Sequence, residues 1–160
     1  MTQLVTAIGQ ASIVPVSTDL TTEFGALEIL RGFEQMKRVD RKIQANTALN
    51  KGEWGVLNDD GTISRPTSTP ARMTFLCFAG TQQFDAAATG QVTLIENSLV
   101  QIQTTLFDPN PTYHVGDGLT VKDLGGGEAY VTKSAGSEPV LARVVSPPTN
   151  GVIVYDTVVG

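Results

Sequence analysis

From residue 52 to the end of the sequence, short runs of β-branched and aromatic residues alternate with turn signals, which constrains the fold more than any other feature. Residues 53–57 lead into residues 58–61, where an Asp-Gly pair favours the positive φ of a tight hairpin turn. Residues 62–65 then return as a second strand. Short strands with this punctuation predict an antiparallel sandwich or barrel.

Further runs of the same kind predict about eight to ten strands in all. Residues 73–79 are apolar on both faces, which is typical of a central buried strand. Residues 91–95 and 99–106 flank a polar triplet and predict a second hairpin. The remaining predicted strands lie at residues 119–122, 129–132, 140–145 and 152–155, the last two separated by a stretch rich in proline and glycine.

Residues 24–43 carry apolar side chains at every third position, which suits neither a helix nor a strand. A helix advances about 3.6 residues per turn, so this spacing drifts around its surface. Gly25 and Gly32 weaken a helix further. The pattern predicts a short helix over about residues 25–31 and, in preference to a continued helix, an extended stretch over about residues 33–43.

Residues 1–22 carry no charge before Asp19 and show no periodic apolar face. They predict an extended arm, with a frayed terminus as the alternative, followed by a single β-rich domain over residues 23–160. The arm residues expected to bind a partner are Leu4, Val5, Ile8, Ile13, Val14 and Val16. The predicted fold is therefore all-β and mainly antiparallel, a compact sandwich or barrel-like domain with at most one or two short helices, one of them a turn at residues 85–88.

The formal net charge of −5 argues against nucleic acid as the main partner, because phosphate binding depends on clustered Lys and Arg. Lys37, Arg38, Arg41 and Lys42 form the one basic cluster, and a solvated face is favoured there over a nucleic-acid contact. No run approaches the roughly 20 apolar residues of a membrane helix. The N-terminus lacks the pattern of a secretory signal, so we expect synthesis in the cytoplasm.

Catalytic residues are not predicted. His114 lies near Asp108 and Asp117, but no serine elbow or activated cysteine accompanies it, as a triad requires. Cys77 lies within an apolar run and is expected to be a small buried hydrophobic residue. Five acids were considered for glycosidase chemistry and are better explained as solvated turn residues: Asp59, Asp60, Glu96, Asp108 and Asp117.

No metal or cofactor is predicted either. Asn58, Asp60 and Gly61 suggest a calcium loop, but Val56 and Thr67 stand where that loop needs oxygen ligands, so a plain turn is favoured. The glycine-rich stretches lack the Lys-Ser or Lys-Thr of a phosphate-binding loop. We expect positive φ in turns for at least two of three glycines: Gly61, Gly116 and Gly118.

Several segments resemble one kind of tailed-phage capsid decoration (cement) protein. They are Lys51-Gly52-Glu53-Trp54 with Leu57 and the turn at residues 58–61, Tyr113-His114-Val115-Gly116-Asp117-Gly118-Leu119-Thr120-Val121, Pro139-Val140-Leu141-Ala142-Arg143-Val144, and Gly151-Val152-Ile153-Val154. The resemblance covers roughly residues 50–156 and consists of turns and strands without a chemical signature.

The resemblance implies a β-rich, non-enzymatic module on the exterior of the virion that clamps neighbouring major capsid subunits. It further implies a dimer or trimer, with neither nucleic acid nor membrane as a partner. Two alternatives stay open: a tail or baseplate β module, and a carbohydrate-binding β domain. An exposed aromatic platform or two facing carboxylates would favour the carbohydrate-binding alternative.

Overall fold

Strands dominate the part of the chain that the computed structural model describes, which is residues 27–79, 90–126 and 129–158. In those residues the elements are β1 (Glu28–Arg31), a 3₁₀ turn (Phe33–Gln35), β2 (Arg38–Lys42), β3 (Trp54–Leu57), β4 (Ile63–Ser64), β5 (Thr74–Ala79), β6 (Gln91–Ile95), β7 (Gln101–Thr104), β8 (Gly118–Asp123), β9 (Ala129–Lys133), β10 (Ala142–Thr149) and β11 (Val152–Thr157). The all-β prediction is confirmed. The arm at residues 1–22 and the helical turn predicted at residues 85–88 lie outside the described residues.

The strands form two antiparallel sheets. The five-stranded sheet has the order β2-β6-β5-β3-β4, and the six-stranded sheet has the order β1-β7-β11-β10-β8-β9. Side chains along a strand point alternately to opposite faces. Strand β11 shows this alternation, because Ile153, Tyr155 and Thr157 are buried while the residues between them are partly exposed. One face of the strand therefore meets the core and the other faces outward.

The five-stranded sheet curls until its two edge strands meet. Ile43, directly after β2, bridges Ile63 of β4, and the Gln44 N–H donates to the Ile63 carbonyl at 2.8 Å. This contact closes the sheet into a small barrel. Its buried interior consists of Ile43, Leu49, Ile63, Cys77, Val92 and Leu94. The prediction that Cys77 is a buried hydrophobic residue is confirmed.

The six-stranded sheet closes in a similar way. Phe107, which follows β7, bridges Val131 of β9, and the Asp108 N–H donates to the Val131 carbonyl at 2.9 Å. This bridge joins the two sides of the sheet, with β1 as an additional strand alongside β7. Strand β1 is short, carries Glu28 and Arg31, and shifts register before Arg31. Such features blunt a sheet edge against pairing with another chain.

The two sheets share one buried cluster. Trp54 and Leu76 of the five-stranded sheet belong to the same cluster as Ile102 and Tyr155 of the six-stranded sheet. The ring centroids of Trp54 and Tyr155 are 6.4 Å apart. Because burying one large apolar side chain contributes about 1.5–3 kcal/mol, this cluster couples the stability of the two sheets.

The helix predicted over residues 25–31 is wrong where the structure describes it, since Glu28–Arg31 forms β1. The extended stretch predicted over residues 33–43 is confirmed for Arg38–Lys42, which forms β2. Phe33–Gln35 forms a 3₁₀ turn instead. Gly32 explains the break between the two strands. Its φ of 85° places the backbone in the left-handed region, which glycine adopts without steric cost.

The hairpin predicted between residues 91–95 and 99–106 is also wrong. Strand β6 pairs with β2 and β5, whereas β7 pairs with β1 and β11 in the other sheet. The intervening triplet, which we call the crossing (Glu96-Asn97-Ser98), carries the chain between the sheets, with Asn97 at a φ of 48°. Turn-forming residues mark the end of a strand, but they do not determine which sheet the next strand joins.

The remaining strand predictions are confirmed. Strands β3 and β4 form the predicted hairpin, and β5 lies centrally between β3 and β6. Strand β10 is longer than expected, because it continues through Pro147 and Pro148 with shifts in register that accommodate their missing N–H donors. Gly61 and Gly116 have φ of 84° and 89°, as expected for two of the three turn glycines, while Gly118 does not share that conformation.

Candidate functional site

His114 lies in an exposed turn, where Asp117 is its neighbour. Its Nδ1 is 3.7 Å from the Asp117 carboxylate, which also accepts the His114 backbone N–H at 2.8 Å. A hydrogen bond from Lys133, 2.8 Å away, is the main cause that lowers the pKa of Asp117. Within the described residues, no hydrogen bond joins His114 to a serine, threonine or cysteine. The geometry therefore offers His114 no nucleophile to activate.

Two of the five acids named as glycosidase candidates, Glu96 and Asp108, are held by separate neighbours. Nη2 of Arg41 lies 3.0 Å from Glu96 Oε2, and this bond raises the pKa of Arg41. The buried Asp108 accepts a hydrogen bond from Thr132 Oγ1 at 2.8 Å. Glycosidases need two carboxyl groups about 5–10 Å apart across an open site. Glu96 and Asp108 are instead engaged in bonds that fix the fold.

The turn at residues 58–61 uses its oxygen atoms internally. Asp60 Oδ1 accepts hydrogen bonds from Thr62 Oγ1 at 2.6 Å and from the Thr62 N–H at 2.9 Å. These bonds lower the pKa of Asp60. Asn58 Oδ1 accepts a hydrogen bond from Ser64 Oγ at 3.1 Å. The predicted hairpin turn between β3 and β4 is therefore present, with these bonds inside it.

Across residues 27–79, 90–126 and 129–158, no three His, Cys, Asp or Glu side chains gather into a group suited to a metal ion. The same ranges contain no helix with the length and apolar character needed to cross a membrane. The residues predicted to bind a partner, Leu4, Val5, Ile8, Ile13, Val14 and Val16, lie outside these ranges. Their role stays a prediction.

An exposed apolar surface lies where β1, the 3₁₀ turn and the crossing meet. Phe33 is 55% exposed, Leu99 64% and Leu30 41%. Residues 30–35 line an open depression of about 350 Å³ there. The Phe33 ring packs at a tilt on Phe78, with the ring centroids 6.4 Å apart. This arrangement leaves one aromatic ring supported from below and open to solvent above.

Two basic side chains lie close to the Phe78 ring on which Phe33 packs. The Arg38 guanidinium carbon lies 5.5 Å from the Phe78 ring centroid, and the Lys51 ammonium nitrogen lies 5.7 Å from it. A cation within about 6 Å of a ring centroid is attracted to the ring face. We define the docking surface as Leu30, Arg31, Phe33, Lys37, Arg38, Lys51, Phe78 and Leu99.

Gly32 and Ser98 hold Phe33 in position. A Cβ atom at residue 32 would lie 2.5 Å from the Leu99 carbonyl oxygen, so only a residue without a side chain allows this close approach. The Lys37 N–H donates to Ser98 Oγ at 2.6 Å. The segment that carries Phe33 is therefore fixed at both ends against the crossing and the residue that follows it.

The basic cluster identified in the sequence is divided by the fold. Lys37 and Arg38 belong to the docking surface, whereas Arg41 is bound to Glu96. Lys42 is exposed at the opposite end of β2 from Arg38. The four cations thus do not present one continuous basic face, and half of them contribute to a mixed apolar and basic surface.

Phe33 is the exposed aromatic residue that the sequence did not reveal. Its place in a row of apolar residues spaced by three made it resemble a core residue of residues 24–43. The available signal was Gly32, because a left-handed residue interrupts any helix that would bury the next side chain. No feature of the sequence indicated that Leu99 is exposed, because the predicted hairpin placed this residue at the start of a strand.

A second concave region lies between the two sheets and encloses about 320 Å³, near the lower limit of the ~300–1,000 Å³ typical of small-molecule sites. Trp54 and Leu76 form part of its apolar lining, and Met73 and Val158 are exposed at it. Arg72 is the one charged side chain among the described residues that line it. This cleft therefore holds no facing carboxylates for sugar hydrolysis.

Comparison with known proteins supplies no relative for this chain. No protein-family model, curated protein or solved structure matches it. A functional assignment therefore depends on the chain's own surfaces and on the resemblance of its strand and turn segments.

Proposed function

We propose that this protein is a structural component of a tailed-phage virion that binds the outer surface of the head and clamps neighbouring major capsid subunits. The docking surface carries the proposal. Phe33 and Leu30 are exposed at one depression, and Leu99 is exposed directly after the crossing. Exposed apolar groups of this size are typical of a surface that a partner covers. The resemblance of residues 50–156 to decoration proteins supports the same function.

The clamp stabilises the shell because it binds assembled subunits and not separated ones, so binding shifts the equilibrium toward assembly. A dimer or trimer of this chain would bind through several docking surfaces at once, which slows dissociation. The proposal requires no cofactor and no catalytic residue. It also requires neither nucleic acid nor membrane, in keeping with the net charge of −5.

The arm at residues 1–22 has a separate role in this proposal. Its apolar residues and lack of charge before Asp19 suit an extended segment that adds a strand to a neighbouring subunit. Ordering such a segment costs conformational entropy, so the contact forms best where the neighbour is already fixed in a shell.

The docking surface is tested by co-sedimentation with undecorated heads of the phage that carries the gene. We expect Phe33→Ser to weaken binding by roughly 30-fold or more, as for a central anchor residue. Val115→Ser is the matched control, because Val115 is 70% exposed but lies at the turn of His114 and Asp117. Equal binding of both variants and the unchanged protein would remove the docking surface from the proposal.

The arm is tested by deleting residues 1–20 and comparing circular dichroism, size-exclusion chromatography and co-sedimentation with the intact chain. We expect the truncated protein to keep its β-sheet spectrum while binding heads or its own oligomer more weakly. Unchanged binding would show that the arm is a frayed terminus. Loss of folding would show that the segment belongs to the core.

A carbohydrate-binding module is the second candidate, since Phe33 on Phe78 is an exposed aromatic pair. The rings are tilted at 52° and flanked by leucines and cations, which suits a protein partner better than a flat sugar ring. Retention on polysaccharide columns that Phe33→Ser abolishes would favour this alternative. Sedimentation with isolated tails or baseplates in place of heads would favour a tail or baseplate module.

A further inference from the structure

Strand β1 forms one end of the six-stranded sheet. Within residues 27–79, 90–126 and 129–158, the one strand that pairs with it is β7, and the isolated bridges lie elsewhere. Glu28, Leu30 and Arg31 are all exposed, so solvent reaches most of this strand. An uncovered sheet edge offers backbone N–H and C=O groups with which an added strand can pair.

Two opposite charges lie at the two ends of β1 and on one face of the sheet. Glu28 lies opposite Gln103 of β7, and Arg31 lies opposite Gln101. Residues two apart on a strand share a face, and so do residues opposite each other on paired strands. Glu28 and Arg31 therefore point the same way. No ion pair joins either charge to another residue in the described part of the chain.

The order of these charges determines which strand can pair with β1. An uncharged strand would leave Glu28 and Arg31 unmatched, and residues 1–18 of the arm have no charged side chain. A parallel copy of β1 would place like charges side by side, which is destabilising. An antiparallel copy places Glu28 beside Arg31 at both ends. The charges that blunt this edge against other strands thus favour a second copy of the same strand.

We infer that β1 is a self-association surface, through which two copies of this chain pair edge to edge about a two-fold axis. Such pairing is isologous, so each contact occurs twice, and Glu28 of each copy meets Arg31 of the partner subunit. Leu30, which is 41% exposed, lies between the two charges and adds an apolar contact. This inference goes beyond the proposed function, since the pairing needs no capsid.

The expected dimer is weak. Strand β1 has four residues, and so short a contact buries less than the roughly 1,600 Å² of a standard protein interface. Dimerisation of the full chain is therefore measured by sedimentation velocity over a wide range of protein concentrations. We expect the proportion of dimer to rise with concentration and to fall as salt is added, because salt screens exposed charge pairs.

Charge reversal tests the pairing. Glu28→Arg and Arg31→Glu each place like charges at both ends of the dimer, so we expect each variant to raise the dimer dissociation constant by about tenfold or more. Lys42→Glu is the matched control for Arg31→Glu, because it makes the same change in charge at an exposed position of β2. It should leave the constant unchanged. Circular dichroism establishes that every variant folds.

Restoring opposite charges makes the test specific to a second copy. In a mixture of the Glu28→Arg and Arg31→Glu variants, the heterodimer has opposite charges at both ends, so the mixture should dimerise about as tightly as the unchanged chain. A double variant that carries both substitutions should do the same by itself. Hydrogen exchange at residues 28–31 should slow with rising concentration in each combination that dimerises.

Four results would overturn the inference: a chain that stays monomeric, a trimer, a dimer that both single variants leave unchanged, or a mixture of the two variants that does not dimerise. Failure of the proposed function is a separate outcome. If the dimer forms but the chain does not sediment with heads, the capsid proposal fails and the self-association surface stands. If heads bind the chain but the charges of β1 do not affect its oligomeric state, the reverse holds.

Discussion

The docking surface and the turn around Asp117 are both exposed and both carry charged side chains. They differ in whether those side chains are paired with an opposite charge within the chain. At the Asp117 turn, the Lys133 ammonium lies 2.8 Å from Asp117. The Lys122 ammonium of β8 likewise lies 2.8 Å from Glu138, which follows β9. At the docking surface, Arg38 forms no such pair within the described residues. The cation at the Asp117 turn is thus paired within the chain, whereas the exposed Arg38 guanidinium at the docking surface lies 5.5 Å from the Phe78 ring centroid.

The ion pairs near these two regions differ in how deeply their carboxylates are buried. Breaking the more buried pair should give the largest loss of unfolding free energy. The Glu96 side chain is 5% exposed beneath Arg41, so we expect Glu96→Gln to lower the free energy of unfolding by about 2–3 kcal/mol. The more exposed pair is tested by Glu138→Gln, which should cost less than about 1 kcal/mol. Urea denaturation measures both variants. Equal losses would show that burial does not separate the two regions.

Backbone geometry sharpens the comparison with a smaller effect. Gly32 and Gly61 have nearly the same φ, 85° and 84°, but an added Cβ meets the Leu99 carbonyl at Gly32 and open space at Gly61. We expect Gly61→Ala to cost about 1 kcal/mol through strain and Gly32→Ala about 2 kcal/mol. Gly32→Ala should also displace Phe33 and weaken partner binding. Chemical denaturation and co-sedimentation with undecorated heads measure the two effects, and identical results for both variants would contradict this account.

The smallest effect concerns the carboxylate at the paired turn. The hydrogen bond from Lys133 holds the pKa of Asp117 below the ordinary value of 3.8. A carboxylate with a lowered folded-state pKa stabilises the fold above its unfolded pKa, and this contribution is lost as pH falls through the folded pKa. Lys133→Met should therefore raise the pKa of Asp117 and reduce its contribution to stability at pH values above 3.8.

Titration of carboxyl carbons by NMR measures the change. Asp60 is the internal control, because hydrogen bonds from the neutral Thr62 lower its pKa. Its titration should be the same in the Lys133→Met variant. An unchanged titration of Asp117 in that variant would show that Lys133 is not the cause of its lowered pKa.

The sequence predicted the local structure well where side-chain chemistry decides it. The hairpin of β3 and β4, the buried β5 and the positive φ of Gly61 and Gly116 were all predicted correctly. Each depends on a few neighbouring residues: a turn needs residues that tolerate its φ, and a buried strand needs apolar side chains on both faces.

Two errors arose where the same local pattern suits more than one tertiary structure. An apolar spacing of three predicted a helix, but Gly32 reverses the chain and Glu28–Arg31 joins the six-stranded sheet as β1. The sequence of the Glu96–Ser98 triplet predicts a hairpin turn. In the structure it crosses between the sheets, because Ile95 and Val100 on either side of it are both buried in the shared core. Local propensity does not record which distant strand offers the better partner.

By itself, the sequence determined that this chain is all-β, where most strands begin, that Cys77 is buried and that β5 is a central strand. Only the tertiary structure decided that both sheets close, through Ile43 with Ile63 and through Phe107 with Val131. It also decided that Phe33 is exposed. The physical reason is that sheet closure and solvent exposure depend on contacts between residues far apart in the chain, whereas turn type and strand periodicity depend on neighbours.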